Sequence, residues 1–177
     1  MDISSCLRHS ILSILLLLSV SAMGDEITEV REDLFHIDLP GEWIPIDPPL
    51  ENNIWIYESV NGDERMTVSI FIAGPDYDKT NLSHMFDEFV EIRRQSELEA
   101  GGSGTELSDL GSKTLPSAVV GRYQGSDPRG RRFSNFVVAN RTGIANFYFE
   151  AVGMSEAEFA DRYPIVLGKV GFVESET

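Results

Sequence analysis

Residues 117–152 hold three runs of strand-forming side chains separated by two short turn signals, and that arrangement leaves little choice of topology. The runs at 117–123, 132–139 and 144–152 are rich in Val, Phe, Tyr and Ile. Asp127-Pro128-Arg129-Gly130 joins the first two with proline second and glycine fourth, as a type I turn prefers. Asn140-Arg141-Thr142-Gly143 joins the next pair. Strands linked this briefly pair antiparallel with their neighbours. The second half of the chain is therefore committed to a β-meander.

The rest of the pattern supplies what the meander packs against. Phe35-His36-Ile37-Asp38-Leu39 alternates apolar and polar until Pro40-Gly41 stops it, which predicts a half-buried strand followed by Trp43. Three prolines within 45–49 predict an extended loop. Runs at 54–60 and 66–72 flank Asn61-Gly62, a strong hairpin signal. Leu82, Met85, Phe86, Phe89 and Ile92 fall at helical spacing, so a helix is expected over about 80–99, capped by Asp78 or Thr80 and stopped by Gly101-Gly102. Ser155-Glu156-Ala157-Glu158 has the form of a capping box, with Met154 and Phe159 spaced as its hydrophobic staple, and Pro164 is expected to break or restart the helix that begins there. The predicted class is α+β: an antiparallel sheet of about six strands, a long helix crossing one face, and a C-terminal helix.

Residues 1–22 read as a cleaved signal peptide. The apolar stretch at 11–20 is too short for the roughly 20 residues that span a bilayer, and Val20-Ser21-Ala22 sets up cleavage after Ala22. The single cysteine, Cys6, lies in the discarded part, so disulfides, thiolate metal sites and lipid attachment through a thiol are not expected. That fits an exported protein, periplasmic or extracellular, without stable membrane insertion after cleavage. Residues 23–33 read as an acidic flexible arm, and 34–177 as one domain. Asn81-Leu82-Ser83 and Asn140-Arg141-Thr142 match the glycosylation sequon, which matters only on a eukaryotic secretory route.

Phe35-x-Ile37-x-Leu39-Pro40-x-x-Trp43, a hairpin, a helix, a meander containing Gly121-Arg122 and a last helix closing on Val170-Gly171-Phe172 resemble, in that order, the PsbP-like α/β/α sandwich superfamily. Its members include photosystem II PsbP and DcrB-like exported bacterial proteins. The resemblance spans roughly residues 34–174. It implies a non-catalytic accessory or binding domain, often exported, with no catalytic residues to carry over.

Signatures of chemistry are sparse. His36 and His84 stand in neither HxH nor HExxH spacing. The chain lacks a Gly-x-Ser-x-Gly elbow and a dinucleotide fingerprint, and Gly101-Gly102-Ser103-Gly104 has no following Lys, so no cofactor is expected. Asp76-Tyr77-Asp78 offers two carboxylates, but a calcium site needs more oxygens and the EF-hand pattern is absent, so they read as exposed turn and helix-cap carboxylates. Trp55 and Tyr57, alternating with Ile54 and Ile56, mark either a strand covered on both faces or the aromatic floor of a ligand groove.

Charge is the remaining asymmetry. The formal net charge of −15 argues against nucleic acid and anionic membranes as partners. Within 121–141, however, Arg122, Arg129, Arg131, Arg132 and Arg141 face Asp127 alone. Two readings stay open: a docking site for an acidic protein or an anionic small ligand, through forked guanidinium bonds, or arginines paired with nearby Asp and Glu. Three functional classes follow: an accessory binding domain, a carboxylate-dependent hydrolase, and a carboxylate-based binder of divalent metal.

Overall fold

The computed structural model describes residues 26–46, 53–74, 81–168 and 170–172. The expected signal segment, residues 76–78 and residues 47–49 of the proline-rich stretch lie outside them. Ten strands and two helices follow in the order β1 (Ile27–Arg31), β2 (Phe35–Pro40), β3 (Trp43–Pro45), β4 (Ile54–Ser59), β5 (Glu64–Ile72), α1 (Leu82–Gly101), β6 (Glu106–Thr114), β7 (Ala118–Ser126), β8 (Arg131–Asn140), β9 (Gly143–Val152), α2 (Glu156–Leu167) and β10 (Val170–Phe172). Among the described residues no helix is long and apolar enough to cross a membrane.

The chain is α+β, as the periodicities indicate, but with two sheets. Seven strands run in the order β3-β4-β5-β9-β8-β7-β6, and three in the order β1-β2-β10. Every pairing of named strands is antiparallel. The meander is β7-β8-β9, and Gly130 N–H donates to Asp127 O at 3.0 Å to close its first turn.

Three expectations are corrected. The strand count exceeds six because β1, β3, β6 and β10 carry weak local signals and exist through their partners. Ile27–Arg31, expected within a solvated arm, is strand β1, since Val30 is buried and its backbone pairs with β2. Pro164 does not interrupt α2, which runs on to Leu167; near the last turn a missing N–H forfeits one bond, and Gly168 N–H closes the end on Pro164 O at 2.9 Å.

The large sheet is covered on both faces. On one side lie α2 and the small sheet, and Phe35, Ile37, Leu39, Met66, Phe147, Phe149 and Phe159 form the main core. Phe149 and Phe159 stack at 5.5 Å. On the other side α1 presses Phe86 onto Val119, Val137 and Ile144, with Leu82, Phe89 and Val90 around them. Each such ring or branched side chain taken from water contributes roughly 1.5–3 kcal/mol. Asn81 Oδ1 caps α1 by accepting from His84 N–H. The capping box of α2 is complete: Ser155 Oγ accepts from Glu158 N–H, and Glu158 Oε2 accepts from Ser155 N–H.

Candidate functional site

The β7–β8 turn places Arg129 and Arg131 around Asp127, whose side chain is fully buried. Arg129 Nη2 donates to Asp127 Oδ2 at 2.9 Å and to Ala100 O at 3.0 Å, which puts a positive charge on the C-terminal end of α1. Arg131 reaches deeper. Its Nη2 bonds Glu97 Oε2 at 3.1 Å, its Nε bonds Asp127 Oδ2 at 3.1 Å, and its Nη1 bonds Tyr148 Oη at 3.0 Å and Glu150 Oε2 at 3.4 Å. The chain of charges continues from Glu150 to Arg65, which also pairs with Glu58.

Electrostatics follow from that crowding. Burial opposes ionisation of Asp127, but hydrogen bonds from Arg129 and Arg131 outweigh it and hold the carboxyl below its usual range. Burial works against the charge on Arg131 too, and Tyr148, Glu97, Asp127 and Glu150 more than offset it. Burial, with Glu97 and Glu150 alongside, pushes the Tyr148 phenol well above its ordinary 10.0, so it stays a hydrogen-bonding hydroxyl.

The other three arginines diverge. Arg132 Nε donates to Met154 O at 3.0 Å, on the α2 side. Arg122 stacks over Phe136 at 5.9 Å. Arg141 lines a separate groove with Asn81 and Leu115. The five therefore do not form one anion-binding surface. Trp55 and Tyr57 belong to the core side of β4: Trp55 meets Phe35 edge-on at 5.1 Å, and the Tyr57 hydroxyl donates to Glu32 Oε1 at 2.8 Å. Burial first, then that bond, raises the Tyr57 phenol.

A different concavity is open. A cleft of about 720 Å³ lies where the β4–β5 turn, the end of β9 and α2 converge. At its wall Glu64 and Arg162 form a forked pair, with Nε to Oε1 at 2.6 Å and Nη2 to Oε2 at 2.8 Å, and Nη2 also donates to Pro40 O at 2.8 Å. Val152 and Ile165 line it while 55% and 52% exposed, beside half-buried Met154. Asp63, Glu158 and Asp161 stand at its exposed rim. The Ser155 side chain and backbone, which bond its carboxylate, hold Glu158 below its usual range. Sequence reasoning did not reach this cleft: its parts come from 61–64, 152–154 and 158–165, and no local pattern joins them.

No family model matches the chain, and no curated protein matches it by sequence. The solution structure of cyanobacterial PsbP (CyanoP) from Synechocystis sp. PCC 6803 matches with a TM-score of 0.61 at 13% identity, covering 89% of this chain and 99% of that one. The chain thus has a PsbP-like fold.

Proposed function

We propose that this chain is an exported, non-catalytic accessory domain that binds a partner through the open cleft between the β4–β5 turn and α2. The observation that carries the reading is the exposure of Val152 and Ile165 inside a concave surface, where aliphatic side chains gain most from being covered. The PsbP-like fold supports an accessory role by analogy.

Three alternatives have less support. A carboxylate hydrolase needs a proton-holding acid near its operating pH. In the cleft Glu64 is clamped by Arg162, and Glu158 is shifted the opposite way. For a metal binder, no group of three or more ligating side chains converges among the described residues. The arginine-hairpin reading is weakened because Arg131 is committed to four internal partners.

Affinity capture from the native envelope fraction tests the proposal. A component retained in proportion to the wild-type chain and lost with Val152→Ser/Ile165→Ser supports it. Retention unaffected by those exposed substitutions counts against the cleft, and turnover of a co-purifying compound counts against the non-catalytic role.

A further inference from the structure

Resting on the cleft as the binding surface, we infer that its occupant is a basic amphipathic peptide segment of a partner protein, with aliphatic side chains on one face and Lys or Arg on the other. The argument is complementarity at two levels. The floor offers Val152, Met154 and Ile165, apolar and incompletely covered, which suits aliphatic side chains. Around them stand Asp63, Glu158 and Asp161, and the only cation in the lining among the described residues, Arg162, is already neutralised by Glu64. A ligand that covers the floor must bring positive charge to this rim or leave like charges facing one another.

The cleft also shows how it accommodates such a cation. The Arg162 guanidinium lies against a carboxylate and a backbone carbonyl, Glu64 and Pro40 O, both satisfied at 2.8 Å or less. An incoming Lys or Arg would meet the same chemistry at Asp63 and Asp161. The chain's net charge of −15 reinforces this at longer range by drawing basic segments toward it. An anionic lipid surface or a nucleic acid would be repelled by the same rim.

The test uses the full exported chain and labelled peptides followed by fluorescence anisotropy. One peptide alternates lysine and leucine, a second alternates glutamate and leucine, and a third alternates lysine and serine. The lysine–leucine peptide is expected to bind, with affinity falling as salt rises. The Asp63→Asn/Asp161→Asn variant is expected to weaken it about tenfold, since two exposed charges are removed. Val152→Ser/Ile165→Ser is expected to abolish binding. All four substitutions are at exposed positions, so folding is preserved and checked by circular dichroism.

Equal binding of the glutamate–leucine peptide would overturn the charge assignment while leaving the cleft as a binding surface. Equal binding of the lysine–serine peptide would overturn the need for an apolar face. Lysine–leucine binding indifferent to both double variants would remove the site from the cleft. A gain in melting temperature with millimolar Ca²⁺ that Asp161→Asn abolishes would assign the rim to a cation and overturn the peptide occupant.

Discussion

Arg131 Nη2 lies 3.1 Å from Glu97 Oε2, joining the first residue of β8 to the last turns of α1 across 34 positions of sequence. The arginine-rich hairpin is in this respect an internal clamp. It supplies the C-terminal end of α1 with the positive charge its own last turn lacks.

The clamp makes a graded expectation for stability. The Arg131 side chain is 18% exposed among Glu97 and Asp127, which are nearly or fully buried. Removing the cation with Arg131→Met leaves Asp127 with Arg129 at 2.9 Å and Glu97 with Arg93 at 3.5 Å but takes away the partner they share, and is expected to cost about 2–3 kcal/mol. Arg129, 66% exposed, is expected to cost about 1 kcal/mol or less in the same substitution. Urea unfolding of both variants checks the ratio, and equal losses would contradict the clamp.

Acid sensitivity has a defined sign. The folded Asp127 carboxyl is held below its ordinary value, so the unfolded chain binds the proton more readily. Its contribution is complete above about pH 4 and is lost as pH falls through the folded value. Urea midpoints measured against pH are expected to fall on the acid side in wild type, with a shallower slope in Asp127→Asn. An unchanged slope would remove Asp127 from the account.

At high pH the tyrosines set the limit. Tyr57, Tyr123 and Tyr148 are all raised by burial, so their neutral form is favoured in the fold. The stability they contribute is complete below pH 10, the ordinary phenol value, and is lost as pH rises further. A near-ultraviolet titration is expected to show these three phenols ionising together with unfolding, and ionisation of all three ahead of unfolding would contradict their burial.

Gly143 opens β9 with φ of +149°, and a Cβ there would run into the carbonyl of Phe71 on the paired strand. Because the obstacle is backbone, Gly143→Ala is expected to cost about 2 kcal/mol or more. Gly62→Ala, at positive φ in open space, is expected to cost about 1 kcal/mol. Melting temperatures of the two variants check the order.

Elements with strong local signals were legible from sequence: β2, the β4–β5 hairpin, α1, the meander and the capping box of α2 all lie close to where periodicity and turn chemistry place them. The missed strands explain themselves. β6 is an edge strand with a register shift between Asp109 and Ser112 and a glycine at 111, so it shows no sustained alternation. β3 has three residues, and β1 carries charged residues on either side of its one buried side chain, Val30. The arginine cluster was visible as composition, but its partners Glu97 and Glu150 lie on other elements. No one-dimensional charge count could separate a clamp from a docking surface. The cleft depends on tertiary convergence alone.

The most direct measurement is a backbone amide chemical-shift map of the full chain titrated with the lysine–leucine peptide. The account expects the shifts to gather at Asp63, Val152, Gly153, Asp161 and Ile165 around the cleft, and to shrink in Asp63→Asn/Asp161→Asn. Shifts gathered instead on the 127–132 turn, or none at all, would contradict it.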